Sequence, residues 1–71
     1  MINGKKLKAI RESERWSMRQ LAKQIGITGA TIKNIEDENY PTNTVILKKI
    51  CQFFKVSADY LLDLKETKEI A

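Results

Sequence analysis

The sequence predicts an all-α fold made of five short helices. Apolar residues recur at intervals of three and four along the 71-residue chain, without the sustained alternation that is typical of strands. Helix start and stop signals divide this pattern into five segments. With 42% hydrophobic and 31% charged residues and only 3 Gly and 1 Pro, the composition favours one compact folded domain over a disordered segment.

The first two predicted helices have clear polar start signals. The first runs over residues 4–14, and Asn3 is placed to cap it. Ser17 opens the second helix, and Gln20 three residues later completes a capping box. Gly26 ends that helix, because glycine takes a positive φ at a helix C-terminus without a Cβ penalty.

The next two predicted helices flank a turn-rich loop. Thr28 is predicted to cap a third helix over residues 29–37. Pro41 lies in the following loop and excludes helical conformation just before it. Thr44 is predicted to cap the fourth helix, over residues 45–54.

The fifth predicted helix is followed by a charged tail. Ser57 is the expected N-cap, the helix is expected to run through Asp63, and Leu64 is a candidate core residue. We therefore expect a helix-rich domain over residues 1–64 and a charged C-terminal tail over residues 65–71.

The cysteine and histidine counts exclude several kinds of site. The single Cys51 excludes an internal disulfide, and together with the absence of His it excludes an ordinary zinc site. No Ser–His or Cys–His pair can exist, so we expect no enzyme activity, no metal and no cofactor. No apolar run approaches the roughly 18 residues of a membrane span. The N-terminus lacks the apolar stretch of a signal peptide, so a cytoplasmic protein is expected.

Positive charge is concentrated in the N-terminal half of the chain. The formal net charge is +4, and residues 16–35 contain Arg19, Lys23 and Lys33 but no acidic residue. A basic lobe of this kind suits an anionic partner such as double-stranded DNA. Solvated helix faces explain the same charges equally well.

The most informative segment is MRQLAKQIGITGATIKNI, residues 18–35. A helix, a short turn containing glycine and a second helix form the helix-turn-helix arrangement. Ala22 supplies a small residue where the second helix crosses, and Gly26 reverses the chain. The apolar positions that would hold the two helices at their angle are Leu21, Ile25, Ile27, Ile32 and Ile35.

Residues in all five predicted helices and their connections together match the pattern of a known protein family. They are Leu7, Arg11, Ser17, Leu21, Ala22, Ile25, Gly26, Ile27, Ile32, Ile35, Glu36, Pro41, Thr42 and the run FFKVSADYLL at 53–62. On these residues the chain resembles, over residues 3–64, the lambda-repressor-like DNA-binding domains, the Cro/C1-type helix-turn-helix regulators.

The resemblance implies a structural ion pair between Arg11 and Glu36 and a third helix that lies in the DNA major groove. The base-facing residues that it implies are Gly29, Ala30, Lys33 and Asn34. The residues that it implies for the DNA backbone are Ser17, Met18, Arg19, Thr28 and Thr31. In this arrangement Asn34 would pair with adenine, Lys33 with guanine, and Ala30 with a thymine methyl group.

At several positions that the resemblance implies for DNA contact, the chain departs from the pattern of the family. Met18 stands where glutamine is usual, Gly29 and Ala30 replace long polar residues, and Asp37 and Glu38 replace an Asn-Gly pair. Such a surface has fewer side chains that can read bases, and it has acids where phosphate would lie.

Two classes of function therefore stay open. The first is a small transcriptional regulator of phage or mobile-element type that binds operator DNA, with a homodimer as the candidate assembly. The alternative is a protein-binding modulator of the antirepressor type, whose partner is another repressor protein, or an antitoxin.

Overall fold

The computed structural model describes residues 2–38, 41 and 43–64, and these residues form five α-helices. The helices are α1 (Gly4–Ser13), α2 (Met18–Ile25), α3 (Gly29–Glu36), α4 (Thr44–Phe54) and α5 (Ala58–Leu61). The predicted all-α fold of five helices is confirmed. In the described part of the chain, no helix has both the length and the apolar character that a membrane crossing needs.

One apolar core joins all five helices. Each helix contributes one large side chain with no solvent exposure, namely Leu7, Leu21, Ile32, Ile50 and Leu61. Trp16 and Phe53 are only partly buried and pack against this core with their rings in an edge-to-face contact, 5.0 Å between centroids. Because every helix contributes to the same cluster, no helix packs independently of the others.

Polar N-caps begin every helix. The caps of α1, α2, α3 and α5 are Asn3, Ser17, Thr28 and Ser57, at the positions expected from the sequence. At α2 the capping box is complete, since Ser17 Oγ accepts from Gln20 N–H while Gln20 Oε1 accepts from Ser17 N–H, both at 3.0 Å.

The predicted cap of α4 is wrong by one residue. Asn43 Oδ1 accepts hydrogen bonds from Val45 N–H at 2.8 Å and Ile46 N–H at 3.2 Å, so α4 begins at Thr44. An asparagine carboxamide satisfies two otherwise unpaired donors here, and asparagine ranks above threonine as an N-cap. Asparagine and threonine are both favoured N-caps, so residue type alone does not decide between positions 43 and 44.

Left-handed residues end the helices. Gly26 has φ +78°, as expected, but Arg15, Glu38, Lys55 and Asp63 adopt the same region with φ between 57° and 62°. This conformation cannot continue a right-handed helix and costs a non-glycine residue about 1–2 kcal/mol.

The left-handed Asp63 corrects the prediction for the fifth helix. Helix α5 ends at Leu61 rather than at Asp63, because the left-handed backbone conformation of Asp63 cannot belong to a right-handed helix. Leu64 lies beyond this residue and is 70% exposed, so it is not part of the core.

Gly4 allows the start of α1 to lie directly on the end of α3. A Cβ atom at this position would overlap the Glu36 carbonyl oxygen and lie 2.8 Å from the Glu36 Cα. The Gly4 N–H also donates to Glu38 Oε1 at 3.1 Å. A side chain at position 4 would therefore separate the two helices, a constraint that the sequence does not reveal.

A polar cluster fastens the start of the chain to the end of α5. Asn3 N–H donates to the Leu61 carbonyl at 2.7 Å, and Asn3 Nδ2 reaches both carboxylate oxygens of Asp63 at 3.0 Å. Lys6 Nζ lies 2.8 Å from Asp63 and 4.2 Å from the centre of the Tyr60 ring. Hydrogen bonds from Lys6 and Asn3 lower the pKa of Asp63 below its ordinary value.

We expect Gly4→Ala to lower the free energy of unfolding by about 1–3 kcal/mol or more, because the new methyl group must push α1 away from the α3 backbone. The matched control is Gly29→Ala, where a Cβ would meet its nearest neighbour at an ordinary 3.6 Å. Thermal melts of both variants test this. A Gly4→Ala variant as stable as Gly29→Ala would contradict the close approach.

We expect Asp63→Asn to lower stability at neutral pH but not in acid. A depressed pKa stabilises the fold above the ordinary aspartate pKa of about 3.9, and this contribution is lost as the pH falls below that value. The measurement is the difference in melting temperature between parent and variant across the acid range, with Glu14→Gln as the control. A difference that stays constant down to low pH would contradict the role of Asp63.

Candidate nucleic-acid interface

The turn between α2 and α3 holds the two helices in close contact. Gly26 N–H and Ile27 N–H both donate to the Ala22 carbonyl, the second at 2.9 Å. Ala22 is 1% exposed and Ile32 is fully buried in the shared core. The small Ala22 and the reversal at Gly26 therefore play the structural parts that the helix-turn-helix pattern predicted.

The N-terminal ends of α2 and α3 lie side by side. A Cβ atom added at Gly29 would lie 3.6 Å from Arg19 Cα and 3.7 Å from Arg19 N. The first N–H groups of any helix have no partner inside it and carry partial positive charge. Two such ends in contact create a surface that favours a phosphate group.

The outer side of α3 presents three residues on one helical face. Ala30, Lys33 and Asn34 are exposed, and their spacing of three and four residues places them on the same side of the helix. Gly29 is half-buried, and a side chain there would point towards the start of α2. Of the four predicted base-facing residues, Gly29 therefore offers only its backbone to a partner.

The predicted backbone-contact residues divide into exposed and partly covered ones. Ser17, Arg19 and Thr28 are exposed, whereas Met18 and Thr31 are half-buried and Met18 packs against the core. The hydroxyl groups of Thr28 and Thr31 lie 2.9 Å apart, and Thr28 Oγ1 accepts from Thr31 N–H at 3.1 Å.

The two acids that follow α3 face different partners. Asp37 Oδ2 lies 2.7 Å from Lys33 Nζ, whereas Glu38 accepts from Gly4 N–H. The hydrogen bond and the negative charge of Asp37 raise the pKa of Lys33. In the sequence these acids are adjacent and equivalent, and nothing there separates their roles.

Arg11 and Glu36 form a buried ion pair. Arg11 Nε donates to Glu36 Oε2 at 2.6 Å and Arg11 Nη2 donates to Oε1 at 3.0 Å, while only 6% and 8% of the two residues is exposed. Arg11 Nη1 also donates to the Trp16 carbonyl at 2.8 Å. The hydrogen bond to Glu36 raises the pKa of Arg11. One guanidinium therefore connects α1, the loop before α2 and the end of α3.

A metal cluster and a reactive cysteine are not found among the described residues. They contain no group of three or more His, Cys, Asp or Glu side chains that could hold a metal ion. Cys51 is buried, as expected, and burial raises the pKa of its thiol. The candidate site is the surface where the N-terminal ends of α2 and α3 meet, because Gly29 there contacts the backbone of Arg19.

Comparisons with known proteins agree with this geometry. The family described as "Helix-turn-helix domain" matches residues 4–67. A crystal structure of the P22 c2 repressor with a synthetic operator superimposes with a TM-score of 0.83 at 23% identity, over 92% of this chain and 98% of that chain. The N-terminal DNA-binding domain of SinR from Bacillus subtilis superimposes with a TM-score of 0.74 at 26% identity, over 84% of this chain and 88% of that chain.

A third similar structure is a complex between SinR and SinI proteins. It superimposes with a TM-score of 0.75 at 28% identity over 89% of this chain, and the chain spans 61% of its length. No curated protein matches the chain.

We expect Arg11→Ala to lower the free energy of unfolding by about 3–5 kcal/mol, because it leaves the buried Glu36 charge without its partner. The double variant Arg11→Met, Glu36→Leu should recover part of this loss, since no buried charge then remains unpaired. Lys33→Met, which breaks an exposed ion pair, should change stability by about 1 kcal/mol or less. Urea unfolding of the three variants measures this, and a double variant no more stable than Arg11→Ala would contradict it.

Proposed function

Because the chain belongs to the helix-turn-helix domain family, we propose that it is a small sequence-specific DNA-binding regulator of transcription, repressor-like or Cro-like and of phage or mobile-element type. The observation that carries the proposal is the side-by-side contact between the first turns of α2 and α3. This contact places two helix N-termini, which favour an anion, beside the exposed face of α3 that carries Lys33 and Asn34.

In this proposal the two helices divide the work between phosphate and bases. Helix α3 enters the major groove, where Asn34 and Lys33 face base edges and Ala30 faces a thymine methyl group. Ser17, Met18 and Arg19 meet a phosphate through the backbone N–H groups and the guanidinium at the start of α2. Thr28 and Thr31 stand at the start of α3 and contact the adjacent backbone.

Two copies of the chain would read one operator. A two-fold dimer places its two recognition helices about 34 Å apart, one turn of B-DNA. The similar P22 c2 repressor, whose structure was determined in complex with a synthetic operator, supports this choice of ligand. The operator, in this proposal, is a double-stranded site with two related halves.

A protein-binding modulator is the second candidate, favoured by the small residues on the same face. Gly29 and Ala30 offer little hydrogen bonding to bases, and the SinR structure shows a relative of this fold in complex with a second protein. Partial burial of Met18 and Ile27 against the core reduces the apolar patch that such a partner would use. The exposed side chains that remain are mostly polar or charged, which favours DNA.

The proposal is tested by fluorescence anisotropy of labelled duplexes titrated at two salt concentrations. One duplex carries the region upstream of the gene and the other an unrelated sequence. Tight binding to the first that weakens as salt rises supports an operator-binding regulator, because phosphate contacts release counterions. Equally weak binding to both duplexes would favour the protein-binding modulator.

In the same titration we expect Asn34→Ala and Arg19→Ala to act differently. Asn34→Ala should reduce the preference for the operator by about 1–3 kcal/mol at one base position, since it removes a base contact. Arg19→Ala should weaken binding to both duplexes alike and reduce the salt slope by about 1.

The control for Arg19→Ala is Lys23→Ala, which removes an exposed cation from the last turn of the same helix. Its effect on DNA affinity should be smaller because it lies at the opposite end of α2. Equal effects of the two substitutions would show that net charge, rather than the start of α2, governs binding.

A further inference from the structure

The C-terminal end of α3 carries an acid that binds the only cation of that helix. Among residues 29–36, GATIKNIE, Lys33 is the single basic side chain. Its ammonium lies 2.7 Å from the carboxylate of Asp37, the residue that ends α3. Both side chains are solvent-exposed, 64% for Lys33 and 47% for Asp37, so the pair lies open on the surface.

Asp37 is poorly placed to stabilise α3. An acidic side chain at a helix C-terminus opposes the helix dipole. A lysine that precedes its acidic partner by four residues is also the less favourable order for a helical ion pair. The neighbouring acids do have structural contacts, because Glu36 pairs with Arg11 and Glu38 accepts a hydrogen bond from Gly4 N–H at the start of α1.

The ion pair occupies the group with which α3 would meet DNA. Lys33 lies on the exposed face between Ala30 and Asn34, and a phosphate or a guanine edge would contact it there. As long as the Asp37 carboxylate is paired with Lys33, the Lys33 ammonium already has an anionic partner. A phosphate must therefore displace a carboxylate, and the freed carboxylate then repels the DNA backbone.

We propose that Asp37 is an internal competitor for Lys33 that lowers the affinity of the protein for duplex DNA of any sequence. This inference rests on the proposed function, since it concerns the same face of α3. It assigns to Asp37 a role in binding rather than in folding. The consequence is weak retention on non-operator DNA, where a free lysine would contact any phosphate.

The test compares Asp37→Asn with the parent on a random-sequence duplex of about 20 base pairs, two helical turns. We expect affinity to rise about two- to fivefold, the range that an exposed ion pair of up to about 1 kcal/mol allows. The slope of log affinity against log salt should steepen by about 0.9, because one more phosphate contact forms. The matched control is Glu12→Gln, which removes the same charge from the exposed surface of α1 and should have a smaller effect.

A double-mutant cycle with Lys33→Met separates competition from net charge. In the Lys33→Met background, Asp37→Asn should lose most of its effect, because no cation remains to be released. An equal gain in both backgrounds, or a gain no larger than that of Glu12→Gln, would overturn the proposal. A loss of affinity in Asp37→Asn would overturn it too, since Asp37 would then position Lys33 for DNA.

A readout without DNA accompanies the cycle. By NMR titration the pKa of Lys33 should fall towards its ordinary value in Asp37→Asn, since Asp37 raises it in the parent. An unchanged pKa would show that the pair does not form and would overturn the competition. A parent that binds DNA with an affinity unaffected by Asp37→Asn overturns the competition alone, whereas no binding by any variant at low salt overturns the proposed function as well.

Discussion

The buried ion pair between Arg11 and Glu36 is the constraint on which the arrangement of the helices depends. Removing either charge from water is costly, so the guanidinium and the carboxylate must stay together once the core has formed. Arg11 meets both oxygens of Glu36 and the carbonyl of Trp16, and no buried side-chain polar atom of the described residues lacks a partner. A planar fork of donors fixes direction as well as distance. The pair therefore sets the orientation of α1 relative to the end of α3.

Close backbone packing acts at the same place. Gly4 brings the start of α1 onto Glu36, and the carboxylate of Glu38 satisfies the Gly4 N–H. The C-terminal end of α3 is thus held by the ion pair of Glu36, by the close contact with Gly4 and by the hydrogen bond from Gly4 N–H to Glu38. Its N-terminal end stays at the surface. Anchoring one end of a helix leaves the other free to meet a ligand with little loss of conformational entropy on binding.

The start of α2 is held by the same scaffold from the other side. The Trp16 carbonyl accepts from Arg11, and the Trp16 ring packs on Phe53 of α4. Ser17, the next residue, caps α2 and begins the surface proposed to meet phosphate. Interactions buried in the protein therefore position a site whose own side chains are largely exposed.

Local signals predicted much of this fold because they act within one helix. The caps at Asn3, Ser17, Thr28 and Ser57 and the reversal at Gly26 require only neighbouring residues, and they lie where the sequence predicted them. The errors arose where local signals compete or where a non-glycine residue turns left-handed. Asn43 and Thr44 both belong to residue types that cap helices well. The left-handed conformation of Asp63 is not indicated by any neighbouring residue.

By itself the sequence determined the five helices of the described residues, the helix-turn-helix among them and the basic N-terminal half. The tertiary structure decided which partners the charged side chains at the end of α3 contact. Arg11 and Glu36 look like surface residues until the helices cross, and only the likeness to a known family implied their pairing. Asp37 and Glu38 are equivalent in sequence, yet one faces Lys33 and the other faces Gly4. The reason is that these contacts depend on the angle at which helices pack and on the backbone conformation at position 38, and residues close in sequence determine neither.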